Sequence, residues 1–253
     1  RDKNNKKYFG KSVLNAVNLV NTKISKKLSG TSIHDQTRID TTLINLDGTR
    51  QKTNLGANAI LAVSMAAKKL SAKIKNVPLY KTFLVKDNYK LPYPLMNVIN
   101  GGAHANNGLR IQEFMIRPDK AKSFSEAMRI CFIVISNLRH LIKNKGLSTS
   151  VGDEGGFAPM IDSNEKALDL VLAAINRSGF KNGKDVSICL DVAANELIKK
   201  NKYSIHSKQY ISTDQSIKKY QKIINKYKIK SIEDPFGEND WVSWSNMMKS
   251  VKN

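Results

Sequence analysis

Val186-Ser-Ile-Cys-Leu190 runs straight into Asp191, and Ile229-Lys-Ser-Ile232 runs straight into Glu233-Asp234-Pro235. Each is a short run holding β-branched apolar residues and closed by an acid, the pattern of a strand that ends at a polar site. Between them lie a short hairpin-like stretch near Tyr203–Tyr210 and a helical pattern over 214–227. Strand, helix and strand at this spacing read as one α/β unit, and strands alternating with helices predict parallel pairing. Asp191 and Glu233 are then candidates for neighbouring strand ends, the end that carries the active site in α/β barrels.

The same texture extends in both directions. Upstream, Asn164 opens a helical run stopped by Gly179, and Ser123-x-x-Glu126 is a capping box ahead of a long helix. Phe124, Met128, Cys131, Ile135, Leu138 and Ile142 mark the apolar face expected for that helix. Ile111–Ile116 reads as a strand with Glu113 inside it, and Leu95–Ile99 as a strand halted by Asn100-Gly101-Gly102. Downstream, an amphipathic segment follows Asn239. Residues 1–88 read as helical instead: Val13 to Leu28 at helical spacing, stopped by Gly30; Thr37–Leu46, ended by Asp47-Gly48; and a nearly wholly apolar run, Asn58–Leu70, expected to be buried on several sides. A domain boundary is expected near Lys86–Lys90, giving domains of 1–88 and 89–253.

Composition narrows the class. Of 253 residues, 41% are hydrophobic and 25% charged, which excludes collagen, coiled coil and wholesale disorder. No apolar run approaches the roughly 18–20 residues of a membrane span. Two cysteines cannot build a disulfide framework, so a reducing, cytoplasmic setting is expected, and both Cys131 and Cys189 read as core. The chain opens on the charged RDKNNKKYFG without a Met or a signal peptide, the expectation for a piece of something longer. With 42 basic and 21 acidic residues the net charge is +21, yet only 8 of the basic residues are Arg and Lys is spread over every segment. That pattern predicts a solvated lysine surface and no specific nucleic-acid partner.

Two hard oxygen donors at adjacent strand ends, with no Cys or His beside them in sequence, suit Mg²⁺ better than Zn²⁺; helix capping or plain solvation is the competing reading. Gly152-Asp153-Glu154-Gly155-Gly156 sets an acid in a loop whose glycines permit close backbone approach or positive φ. The same five residues also suit an ordinary surface turn. His104, after Gly101-Gly102-Ala103, is a ligand-contact candidate of equal ambiguity. His34, His140 and His206 carry no functional expectation.

Taken together, Asn97-Val-Ile-Asn-Gly-Gly-Ala-His104, Ile111-Gln-Glu-Phe-Met-Ile116, Val151-Gly-Asp-Glu-Gly-Gly-Phe-Ala-Pro159, Leu190-Asp-Val-Ala-Ala194 and Ser231-Ile-Glu-Asp-Pro-Phe236 closely resemble the enolase family, in the family's order. Leu46-Asp-Gly-Thr49, Gly56-Ala-Asn-Ala-Ile-Leu61 and Val77-Pro-Leu-Tyr80 resemble its N-terminal domain. The resemblance implies part of an α+β capping domain followed by part of an irregular (β/α)₈ barrel. It implies the glycolytic, Mg²⁺-dependent, reversible dehydration of 2-phosphoglycerate to phosphoenolpyruvate by a lyase that is commonly a homodimer or larger. Glu154 corresponds to the general acid, Asp191 and Glu233 to Mg²⁺ ligands, Gln112 and Glu113 to residues at the substrate and its leaving hydroxyl, and His104 to a loop residue closing on substrate. Glu233 also borders the substrate. Asn195-Glu-Leu197 replaces the family's usual Ser-Glu-Phe, and Ala103 replaces a Ser or Glu. The family's base, third metal-ligand Asp and phosphate-binding residues are expected outside residues 1–253. Two other readings stay open: a related dehydratase of acid sugars, and a truncated, non-catalytic binder of polyanions.

Overall fold

A computed structural model describes residues 7–83 and 90–251. The chain forms two compact units, Arg1–Lys90 and Leu91–Asn253. Most of the boundary expected near Lys86–Lys90, including the 88/89 division, lies outside the described residues.

The first unit is helical throughout its described length. Helix α1 (Leu14–Leu19) passes through a π-helical turn (Val20–Ile24) into α2 (Ser25–Leu28), so the apolar run read as one helix holds three segments. Helix α3 (Gln36–Asp47) starts at Asp35, whose carboxylate accepts the Arg38 N–H at 2.9 Å, and ends at Gly48 with φ of 71°. Only glycine adopts that left-handed turn at little cost. Asp47 is buried and accepts the Thr49 and Leu55 N–H groups, which closes the connection to α4 (Ala57–Ile74). Ile24, Ile39, Leu43, Leu55, Ala59 and Ala67 form the core of this unit. Helix α4 is not buried on several sides as its composition predicts: Leu61, Met65, Leu70 and Ile74 are exposed, and small residues make its inner face.

The second unit is a four-stranded sheet covered by helices. In chain order come β1 (Met96–Asn100), β2 (Glu113–Arg117), α5 (Phe124–Asn144), α6 (Asn164–Arg177), β3 (Ser187–Asp191), the hairpin β4 (Ile198–Lys199) and β5 (Lys202–Tyr203), α7 (Thr213–Tyr227), β6 (Ser231–Glu233) and α8 (Trp241–Ser250). The sheet order is β1-β2-β3-β6. Only β3 and β6 are parallel, which corrects the expectation of parallel strands throughout; β1–β2 and β2–β3 are antiparallel. Connectivity explains the difference. The segment 101–112 turns back with no covering α-helix, and two helices packed side by side, α5 and α6, return β3 against β2. The single helix α7 gives the right number of reversals for a parallel partner.

Other details shift from the sequence reading. The hairpin-like stretch expected near Tyr203–Tyr210 is present, closed by antiparallel pairing of Tyr203 with Ile211, and a second hairpin, β4–β5 over 198–203, precedes it. On α5 the buried face is Ala127, Ile130, Cys131, Val134, Leu138 and Ile142; Phe124 and Met128 are exposed. The face is rotated because the helix seats small Ala127 inward in its first turn. Its cap is also offset: Ser123 Oγ accepts the Glu126 N–H at 3.1 Å, while Glu126 accepts the Lys122 N–H at 2.8 Å. Phe114, Ile116, Ile188 and Leu190 alternate onto the apolar face of the sheet and join the core with the covering helices. Cys131 and Cys189 are buried, as expected. Among the described residues, no helix is long and apolar enough to cross a membrane.

Candidate active site

Register builds the site. Asn100 pairs with Glu113, Glu113 with Asp191, and Asp191 with Glu233. Directly opposed residues face the same side of a sheet, so one row across four strands carries an amide and three carboxylates. Because β2 is antiparallel, Glu113 is its first residue and not an interior one, which sets its carboxylate level with the C-terminal ends of β3 and β6. The pairing continues past the strands, with Gln112 N–H on the Asp191 carbonyl at 3.1 Å and Val192 N–H on the Glu233 carbonyl at 3.0 Å. Asp191 is anchored by the Ala193 N–H at 3.0 Å.

Two loops complete the site. Segment 101–109 carries His104, and the glycine loop 152–156 carries Glu154. The Gly152 N–H meets the Gly156 carbonyl at 2.8 Å, closing the glycine loop on itself. A β-carbon at Gly152 would sit 2.6 Å from the His104 carbonyl and also collide with Asn100 Nδ2, so the two loops touch through bare backbone. Asn100 is fully buried beneath them. Its Nδ2 donates to the Gly156 carbonyl at 2.8 Å, its N–H to the Phe157 carbonyl at 2.8 Å, and its carbonyl accepts Asn107 Nδ2 at 3.0 Å. Asn97 Nδ2 donates to Asn100 Oδ1. Sequence reasoning misses Asn100; its place directly before Gly101-Gly102 at a strand end is the available signal.

His104 lies between the two glutamates. Its Nδ1 is 3.8 Å from Glu113 and its Nε2 is 3.7 Å from Glu154. One donor atom from each of these three residues fits within a 4.8 Å span, compact enough to hold a cation. The Glu113 side chain is only 13% exposed, and Glu154 is 48% exposed. Burial, then the adjacent Glu154 and the charges of Asp191 and Glu233, pushes Glu113 up to about 8, so it holds a proton at neutral pH. Burial chiefly raises Asp191 as well, offset in part by the Ala193 N–H and reinforced by Asp234. Glu233 is raised by burial and then by Asp191 and Asp234. Among the described residues no lysine or arginine is ion-paired to this row. Clustered acids without a basic side chain are an environment that a hard divalent ion relieves, and the carboxylate oxygens fit Mg²⁺; the compact trio adds a His104 nitrogen and includes neither Asp191 nor Glu233.

The class is therefore an α/β protein whose carboxylates, half-buried at Glu113 and Asp191 and exposed at Glu154 and Glu233, gather at one end of its strands. Residues 88–253 match the family described as enolase, C-terminal TIM barrel domain, and residues 1–83 match enolase, N-terminal domain. The chain belongs to the enolase family. It is 86% identical over all 253 residues to the enolase of Pelagibacter ubique (strain HTCC1062) and spans 60% of that relative's length.

Proposed function

We propose that this chain is the acid-bearing portion of a glycolytic phosphopyruvate hydratase, which removes water reversibly from 2-phosphoglycerate to give phosphoenolpyruvate. The observation that carries the reading is the single row Glu113–Asp191–Glu233 with Glu154 and His104 closed over it. Its partner is the small-molecule substrate, its setting the cytoplasm, and its complete form a homodimer or larger.

The chemistry follows from the residues. The hydrogen next to the substrate carboxylate is a very weak acid, and its loss leaves added negative charge on that carboxylate. Asp191 and Glu233 would hold Mg²⁺, which would supply the concentrated positive charge this requires. The departing hydroxyl is a poor leaving group and needs a proton as its C–O bond breaks. Glu113 and Glu154 serve that step as a pair. Glu113 is protonated at neutral pH because it is largely buried and its neighbours are acids, and Glu154, more exposed, faces the incoming hydroxyl and passes the proton to its oxygen. Gln112, beside Asp191, and His104, between the glutamates, contact and orient the substrate; Glu233 borders it. The division into residues 1–88 and 89–253 as capping and barrel portions belongs to the same reading.

The test is Glu154→Gln in the complete protein. General acid catalysis is typically worth ~10²–10⁴-fold, so kcat falls by at least about a hundredfold while Mg²⁺ binding is retained. Retention of more than about a third of wild-type kcat removes Glu154 from the role, a bar set well inside that range.

A further inference from the structure

The lysines that are spread along the sequence are not spread over the second unit. Three segments meet at the end of the sheet opposite the carboxylate row: 117–122 after β2, 177–185 between α6 and β3, and 226–230 between α7 and β6. Lys120 N–H meets the Asp185 carbonyl at 3.0 Å, Asn182 Nδ2 meets the Tyr227 carbonyl at 2.7 Å, and the Lys228 stem lies against Gly183. Together they hold Arg117, Lys120, Lys122, Arg177, Lys181, Lys184, Lys226, Lys228 and Lys230, nine of the unit's 24 basic residues, but only two of its 16 acids. The remainder of the unit has 15 basic against 14 acidic residues, so seven of its eight net positive charges sit on this rim. Coding bias toward lysine accounts for the number of lysines and not for this segregation.

Both rim acids are already engaged. Asp119 pairs with Arg117 at 2.5 Å and accepts Ser187 Oγ; Asp185 accepts the Lys181 N–H at 2.9 Å and faces Lys120 at 3.8 Å. Lys122, Lys181, Lys184, Lys228 and Lys230 are exposed and take part in no ion pair among the described residues. The apolar side chains of the rim point inward: Ala121, Tyr227 and Ile229 are buried, and Phe180 packs on the core. Among the described residues of the rim no aromatic or large apolar side chain is exposed to stack on an unpaired base or insert into a bilayer, which disfavours single strands and membranes.

We propose that this rim is a docking face for the phosphate backbone of duplex nucleic acid, read without regard to sequence. Its ligand is a rigid array of phosphates, matched by lysines as point charges, and binding is driven by counterion release. The face lies at the opposite end of the strands from the carboxylates and operates independently of any turnover.

The experiment is fluorescence anisotropy of a labelled 20-base-pair duplex of mixed sequence, titrated with the protein across a salt series. The expected result is sequence-independent binding with a log–log salt slope of about −0.9 for each phosphate neutralised. The variant Lys122→Glu/Lys181→Glu/Lys184→Glu/Lys230→Glu binds at least about tenfold more weakly with a shallower slope. The control, Lys199→Glu/Lys200→Glu/Lys202→Glu/Lys208→Glu, makes the same charge change at the hairpin and keeps affinity within about twofold. Both sets are exposed positions, and cooperative urea unfolding of each variant verifies the fold. Equal weakening by the control overturns the proposal, as does no duplex binding at about 50 mM salt. Tighter binding to phosphatidylserine vesicles than to duplex overturns it in favour of a membrane surface.

Discussion

Asn100→Ala separates a spacer from a clamp. The side chain donates to the Gly156 carbonyl and accepts from Asn97 Nδ2 in a site with no exposure at all. Truncation removes both bonds. Gly156 O keeps the Gly152 N–H, but Asn97 is stranded, because its Oδ1 is already buried without a partner. Two net hydrogen bonds at ~1 kcal/mol each, and up to ~3 kcal/mol for the unpaired amide of half-buried Asn97, predict a loss of about 2–5 kcal/mol. Asn100→Asp costs at least as much, since a carboxylate faces the Gly156 carbonyl with no proton to donate and adds charge beside Glu113. Urea unfolding followed by tryptophan fluorescence reads the correct unit, because both tryptophans, Trp241 and Trp244, lie on α8. Hydrogen exchange at Gly152 and Phe157, whose N–H groups bond Gly156 O and Val98 O, reads the loop locally and speeds up in both variants. An Asn100→Ala protein within about 0.5 kcal/mol of wild type, the range of ordinary surface substitutions, would show that the glycine loop holds its own shape.

Four further outcomes follow from the same geometry. Gly152→Ala destabilises the second unit by about 1–3 kcal/mol or more, since its β-carbon meets the His104 carbonyl at 2.6 Å, and urea unfolding measures it. Asp191→Asn and Glu233→Gln each weaken Mg²⁺ binding in titration calorimetry, and unchanged affinity in both places the ion elsewhere. Without metal, Glu113 holds a proton in the fold up to about 8 that it loses near its ordinary value when unfolded, so stability falls as pH rises between those values and levels off above them. Glu113→Gln removes that slope, and an unaltered pH profile of unfolding would assign it to other groups. Residues 1–253 assayed by themselves form no phosphoenolpyruvate, because no described lysine or arginine pairs with the carboxylate row; turnover above background would refute this.

How much is legible in the sequence depends on whether the signal is local. The runs ending at Asp191 and Glu233 read correctly as strands because alternation, β-branched residues and a terminal acid all lie within six residues. Gly48 and Gly179 mark helix ends because a left-handed turn leaves glycine as its trace. Pairing direction is not legible: it depends on whether one helix, two or none intervene before the chain returns, and periodicity does not carry that count. The face of α5 is misplaced by its first turn, where Phe124 suggests burial but small Ala127 is what the core accepts.

The candidate site shows the same limit from the other side. Asp191 and Glu233 can be nominated as neighbours from spacing within one strand–helix–strand unit. Glu113 can be nominated only by resemblance, because an acid inside an apparent strand has no chemical reason to be there. Reversing β2 supplies the reason: the residue that looks interior is the first of its strand, and antiparallel pairing delivers it to the row where two parallel strands end. That reversal also determines its proton. A glutamate at a free strand start would be solvated and ionised, whereas buried in this row beside Glu154, Asp191 and Glu233 it keeps its proton to about 8. The feature that misleads the strand reading is therefore the one that carries a third acid into the row and, by burying it there, keeps it protonated near neutral pH.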